Sequence, residues 1–527
     1  MDIENKNNTY HMLFHWNNFK LKLVYEGIIV GIVSSLIVVF YRFSLEKASD
    51  ILKEVYKMIV INPYLLPVWI GILLLVAYIV GSLMKKEPMI CGSGIPQVEG
   101  VLLHKLQMRW WSVILGKFLG GVLAIGSGLS LGREGPSVQL GAAVGQGYSK
   151  IFKRIKVEEK YLITCGASAG LSAAFNAPLA GVMFALEEVH KNFSPFVLLS
   201  ALSAALTADY VSSGFFGLKP VLNFKSLSIL PLKSYFFIVV LGIILGLLGV
   251  LFNGSILKAQ NIYAKITWIP KEFLIVIPLL LSVVFGFLLP QVLGGGHEII
   301  ISLLTTSKYT IITLVVILVM KFLFTMVCFG SGAPGGIFLP LLAVGALIGS
   351  IYGGIVVQIF HLDGMFIRNF VILGMAGYFT AVVRAPITGI ILITEMTGSF
   401  QHLLSLSIIS IIAYLTADII GSKPIYEALL ERILAKQGVS RMKGNSRHKS
   451  ILEYAVCMGS GLDGKEVKTV TWPSHCLLVA IKRGEQEIIP KGDTVITAGD
   501  YVIVLTNEDR VPKINDELLK LSTNGSN

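Results

Sequence analysis

Apolar stretches long enough to cross a bilayer recur along this chain, among them residues 65–83, 234–250, 273–289 and 403–420. Each is near the roughly 20 residues a helix needs to traverse the hydrocarbon core. The core offers no water to backbone N–H and C=O groups, so such segments must satisfy themselves as helices. We count on the order of ten to twelve of them, several interrupted by Gly or Pro. Only 14% of the 527 residues are charged and 54% are hydrophobic, whereas a soluble domain carries about a quarter charged. The expectation is an all-α polytopic protein of the cell membrane, embedded in the lipid bilayer.

The net charge of +12 would suit nucleic acid, but its distribution argues for no nucleic-acid partner. Basic residues gather where apolar runs end: Lys20 and Lys22, Lys85 and Lys86, then Lys150, Lys153, Arg154 and Lys156. Loops of this kind hold a topology, here with both termini cytoplasmic. The polar N-terminus has no short apolar core before a small-residue cleavage site, so no cleaved signal peptide is expected. Cys91, Cys165, Cys328, Cys457 and Cys476 show neither CxxC spacing nor even pairing, which predicts no metal site and no disulfide frame.

The membrane part is internally duplicated. Residues 165–187 (CGASAGLSAAFNAPLAGVMFALE) match 373–395 (LGMAGYFTAVVRAPITGIILITE), and Gly166/Gly374, Pro178/Pro386, Gly181/Gly389 and Glu187/Glu395 all differ by 208 positions. Upstream, Ser127-Gly128 matches Ser331-Gly332, while Pro136/Pro340, Gly141/Gly345 and Gly145/Gly349 differ by 204. The halves run from about 25 to 215 and 230 to 435. Transporters built this way place their substrate near the midplane, where broken helices of both halves meet.

Three Gly-rich segments interrupt these repeats: Gly92-Ser93-Gly94-Ile95-Pro96, Gly132-Arg133-Glu134-Gly135-Pro136 and Gly335-Gly336-Ile337-Phe338-Leu339-Pro340. Each ends in a Pro suited to a first helical turn. Helix N-termini present free N–H groups and the positive end of the dipole, which favours a dehydrated anion. Three such ends would hold an anion without the grip of a full positive charge, leaving it free to move on. A carboxylate at one of these ends, Glu134, is itself an anion that can occupy the same place. Its repeat position is Phe338, so the titratable group lies in one half only. Likewise Glu187 is repeated as Glu395, whereas Glu188 faces Met396, which marks Glu188 as the specialised acid.

The segments GSGIP, GREGP and GGIFLP, in this order, resemble the signatures of the CLC family of chloride channels and proton/chloride exchangers over roughly residues 25–435. That resemblance implies an inverted repeat of broken helices, a homodimer with one path per subunit, and chloride as substrate with no cofactor. It implies chloride contacts from the hydroxyls of Ser93 and Tyr426 and the N–H groups of Ile337 and Phe338, within the frame of Gly132, Arg133 and Gly135. Glu134 corresponds to the gating glutamate, and Glu188 to the inner proton-transfer residue that exchangers keep and many channels lack. Proton-coupled chloride antiport is the leading expectation; a passive voltage- or ligand-gated chloride channel is the alternative. No TVGYG-like carbonyl filter supports potassium transport. No HExxH, GxSxG or phosphate loop supports an enzyme.

Apolar character stops near Ala435. The expected division is a transport domain at 1–436, a basic linker at 437–449 and a soluble α+β domain at 450–527. Short strands are expected at 476–481 and 494–497, with the turn signals Gly492-Asp493 and Gly499-Asp500 each preceding a short strand. Residues 476–508 resemble the RCK-C (TrkA-C) regulatory module, some members of which bind cyclic di-AMP at a dimer interface. The resemblance makes cyclic di-AMP the candidate regulator, with Lys482 and Arg483 toward its phosphodiesters and Leu478, Val479 and Pro490 as apolar walls. Solvated turn charges and strands packing their own core explain the same residues equally well.

Overall fold

A computed structural model describes residues 3–218, 220–222, 229–305, 309–436, 449–484, 486–507 and 510–523. The chain forms two compact units, Met1–Leu434 and Ala435–Asn527. The basic linker read at 437–449 lies outside the described residues up to 448.

In the first unit, nine helices among the described residues are long and apolar enough to span a membrane, and Trp110–Gly126 and Pro386–Thr397 are shorter apolar helices. The runs at 65–83, 234–250, 273–289 and 403–420 become the helices Leu66–Lys86, Tyr235–Ala264, Val276–Leu288 and Leu403–Ile419. Phe338–Phe360 and Gly364–Val383 have 72% and 83% of their apolar windows enclosed by protein, against 33–50% for the other spans. They form the middle of the unit. Their repeat counterparts, Glu134–Ile151 and Lys156–Phe175, are also almost wholly buried. Glycine makes this packing possible: a Cβ on Gly141 or Gly166 would collide with the other's backbone carbonyl, and Gly345 and Gly374 stand in the same relation. Small residues that let backbones touch are how helices associate without a hydrophobic drive.

The second unit is an antiparallel sheet in the order β1-β4-β2-β3, from β1 (Lys449–Ala455), β2 (Cys476–Arg483), β3 (Gln486–Ile488) and β4 (Tyr501–Asn507). The helix Val511–Thr523 follows, and Ile514 and Leu518 complete a core with Ile481, Val502 and Val504. The strand expected at 494–497 is not one. Only Val495 makes a bridge, to Glu466. Local bonds win there: Thr494 Oγ1 accepts from the Lys491 N–H at 2.8 Å, and Asp500 Oδ2 from the Thr497 N–H at 2.9 Å. Side chains that offer the backbone nearby partners favour a loop over a ladder.

Candidate functional site

The three Gly-rich segments are tied into one backbone knot. Gly132 and Gly336, repeat equivalents 204 positions apart, exchange both bonds of an antiparallel bridge, at 2.6 and 2.8 Å. The local two-fold relating the halves therefore passes between them. The Gly92 N–H donates to the Gly332 carbonyl, and the Gly335 N–H to that of Gly92, each at 3.0 Å. Out of this knot start the helices Ile95–Leu102, Glu134–Ile151 and Phe338–Phe360, whose first N–H groups have no partner within their own helices. Gly94 caps the first of them at φ 98°, a left-handed conformation natural to glycine.

Around the knot, buried polar atoms stand without partners. The Tyr426 hydroxyl faces that of Ser93. The two residues are 0% and 2% exposed, and neither oxygen completes a hydrogen bond of ordinary geometry. The rings of Phe184 and Phe338 close the wall beside them, with Phe184 centred 6.4 Å from Tyr426 and 5.9 Å from Phe338. Buried hydroxyls left free are costly unless something else completes them. Glu134 is 0% exposed, and both its oxygens are likewise unpaired, with its own N–H and that of Leu339 turned toward them. A side chain on Gly132 would strike this carboxylate, and one on Gly135 would strike Ser93. Both glycines hold space open for the neighbouring polar groups.

Arg133 points elsewhere. Its guanidinium pairs with Glu46 at 3.3 Å, and Glu46 also takes Arg42 at 3.0 Å. These three line a cavity of about 1020 Å³ whose lining includes Gly132 and Leu339 but not Ser93. No cluster of His, Cys, Asp and Glu suited to a metal occurs among the described residues.

Glu188 lies in a single π-helical turn, Ala185–His190, a register found mostly at functional sites. It is 4% exposed with Oε1 unpartnered. Tyr426 stands within charge reach of both Glu188 and Glu134. Glu187 does something different. It accepts from the Ile387 and Thr388 N–H groups at 3.2 and 2.8 Å, while Glu395 accepts from those of Leu179 and Ala180 at 3.0 and 2.8 Å. Each half thus caps a helix of the other.

Two features escape sequence reasoning. Lys117 and Lys321, also 204 apart, are 0% exposed inside apolar helices. Lys117 Nζ donates to the carbonyls of Ile90 and Gly92 at 2.8 and 2.6 Å, and Lys321 Nζ to those of Val292 and Gly294 at 2.9 and 2.6 Å. The second contact exposes a fourth Gly-rich segment, Gly294-Gly295-Gly296, which lines the same cavity as Arg133 and stands 202 positions after Gly92-Ser93-Gly94. The lysine pair keeps the offset of 204, and only the glycine segment departs from it.

In the second unit, Arg483 grips Asp500 through Nε at 2.8 Å and a terminal nitrogen at 2.7 Å, and donates to the Val495 carbonyl at 2.8 Å. This pairing holds the Asp500 carboxyl below the usual carboxylate range. Lys482 is exposed and Val479 is 42% exposed, while Leu478 and Pro490 are half-buried.

Comparison with known proteins gives the family. The family model described as voltage gated chloride channel matches residues 73–418, and the TrkA-C domain matches 451–519. The H+/Cl− exchange transporter ClcA of Vibrio vulnificus is 37% identical over 425 residues, covering 79% of this chain and 90% of that protein. ClcA of Yersinia pestis is 36% identical over 425 residues, covering 78% and 88%. A slow cyanobacterial Cl−/H+ antiporter superposes with a TM-score of 0.75 at 29% identity, covering 79% of this chain and 99% of that one. A CLC-type fluoride/proton antiporter gives 0.64 at 25% identity, covering 77% and 97%. The chain belongs to the voltage-gated chloride channel (CLC) family, whose members move ions rather than catalyse reactions, and it carries a TrkA-C domain C-terminal to its membrane helices.

Proposed function

We propose that this protein exchanges chloride for protons across the cell membrane, as a homodimer with both termini cytoplasmic. Residues 1–436 carry transport and 450–527 carry regulation. The observation supporting it most is the unpaired, buried carboxylate of Glu134 at a helix N-terminus, with Tyr426 within charge reach of it and of Glu188. Chloride sits between the hydroxyls of Ser93 and Tyr426 and takes the N–H groups of Ile337 and Phe338. Gly132 and Gly135 leave it room, and Arg133 sets the field on the outer side. Ionised, Glu134 competes with chloride for the same positive helix end; protonated, it withdraws and the path opens. Proton and chloride therefore exclude each other, which is what couples their fluxes. Glu188 passes the proton to and from the inner side.

The test is proton movement by proteoliposomes under a chloride gradient, with Glu188→Gln beside wild type. Uphill proton movement in wild type, lost in the variant while chloride still flows, is the expected result. Chloride flow without protons in wild type makes the protein a channel instead.

The TrkA-C unit supports a regulatory site for cyclic di-AMP on β2. Exposed Lys482 meets a phosphodiester, with Leu478, Val479 and Pro490 as the apolar floor and Arg483 bracing the strand end through Asp500. Calorimetry of the intact protein with cyclic di-AMP, against Lys482→Ala, tests it. Heat of binding in wild type that weakens in the variant is expected, and no heat in wild type removes the proposal.

A further inference from the structure

Exchange requires a proton to reach Glu188 from water, and the adjacent acid Glu187 is poorly placed to supply it. Its oxygens hold two backbone N–H groups, and Oε2 also accepts the Thr388 hydroxyl at 2.7 Å. Protonation would break part of this cap. His190 is occupied elsewhere, with Nδ1 at 2.7 Å from the Thr164 hydroxyl.

The other side of Glu188 is arranged differently. Lys191 ends the π turn in a left-handed conformation, φ 55°, which turns its chain back so that Nζ bonds Glu99 Oε1 at 2.6 Å. Glu99 is 3% exposed, and its second oxygen, like Glu188 Oε1, has no partner. Two unpaired, buried carboxylate oxygens thus lie near one ammonium, whose side chain is 41% exposed. Glu427, half-buried in the first turn of Ile425–Lys436 beside Tyr426, is within charge reach of Glu99, Glu188 and Lys191. Leu430 of its helix reaches, with Leu106, the space over Gly100 next to Glu99. Lys105 is the other cation near Glu99.

We infer that protons pass between water and Glu188 through a side chamber made by Glu427, Lys191 and Glu99, with Glu427 as the collecting carboxylate. This rests on the exchange reading above. A half-exposed acid trades protons with water readily, and a sealed one does not. The proton leaves the Glu427 carboxyl, which returns to carboxylate, and lands on the Glu188 carboxylate directly or through water. Glu188 lies within charge reach of Glu99, and like charges in one site favour sharing of a proton. Lys191 lets Glu188 give up its proton without leaving a bare buried charge. The π turn gives Glu188 a backbone register that can shift.

The experiment measures proton and chloride fluxes of the reconstituted full chain over a range of inner pH. At alkaline inner pH, Glu427→Gln is expected to lower the proton-to-chloride ratio about tenfold, less than the 10²–10⁴ of a direct proton donor because water substitutes in part. The deficit shrinks on acidification, and Glu427→Asp restores the ratio, which a merely structural role would not produce. Lys191→Met moves the inner pH of half-maximal proton flux upward, since loss of a nearby cation makes the acids hold protons more tightly. Glu187→Gln keeps the wild-type ratio. A wild-type ratio in Glu427→Gln at every pH, or an equal fall in Glu187→Gln, overturns the chamber. Chloride flux without protons in wild type removes the exchange reading, and the chamber with it.

Discussion

The two halves of the membrane unit are built on one plan, yet they differ at a few buried polar positions. Where residues repeat, they do the same work twice. Gly132 and Gly336 bond each other, Glu187 and Glu395 cap each other's helices, and Lys117 and Lys321 each hold two carbonyls. Where the pairing breaks, a polar group faces a position that cannot copy it: Glu134 against Phe338, Glu188 against Met396, Ser93 against Gly295. Duplication thus separates scaffold from chemistry within one chain. Each of these unpaired members also has a buried oxygen without a partner.

The largest expected effect tests the sharpest asymmetry. Glu134→Gln should remove proton movement by at least about 10²-fold, as loss of a direct proton carrier does, and leave a chloride flux that no longer responds to pH. Phe338→Leu, at the matching position, should keep coupling, because the chloride contact proposed there is a backbone N–H that survives the change. Loss of coupling in Phe338→Leu would break the comparison.

The buried lysines come next. Replacing Lys117 or Lys321 by Met leaves two carbonyls unpaired, each costing about 1–3 kcal/mol. The two variants should lose thermal stability in detergent to a similar degree. If Lys117→Met instead weakens chloride binding while stability holds, Lys117 belongs with the chemistry and the pairing rule fails at that site. The caps are a smaller version of the same test. Glu187→Ala and Glu395→Ala should each cost about 1–2 kcal/mol, the loss of an N-cap, and both should keep the proton-to-chloride ratio of wild type.

Much of this is legible in the amino-acid sequence. Fixed offsets of 204 and 208 reveal the duplication, and the Gly-rich segments with their terminal Pro mark the helix starts, because glycine and proline act locally on the backbone. The asymmetry of Glu134 and Glu188 can be read from the same alignment of halves. What stays hidden depends on contacts distant in sequence. Lys117 and Lys321 look like ordinary topology charges until their carbonyl partners are seen, and Arg133 shares Glu46 with Arg42 from a helix about 90 residues earlier. The fourth Gly-rich segment escapes because its offset is 202, a two-residue change that breaks a strict search. The loop at 494–497 reads as a strand because its β-branched residues say nothing about the side-chain bonds that hold it.

A buried acid without a repeat partner need not be chemical, and Asp500 shows where the comparison stops. It lies in the unrepeated second unit, with a side chain 1% exposed, and holds Arg483, whose side chain is 45% exposed. Arg483 depresses the Asp500 pKa. Its contribution is therefore present above the unfolded value of about 4 and is lost as pH falls through the lower folded value. Since Arg483 is open to water, screening limits the pair to about 1 kcal/mol or less. Asp500→Asn should thus speed amide hydrogen exchange in β2 and β4 of the full chain at neutral pH by about fivefold or less, with the gap to wild type closing below about pH 4. An effect that persists unchanged in acid would mean that the carboxylate's charge is not what holds the strands. Asp500 would then act through its shape and its bond to the Thr497 N–H alone.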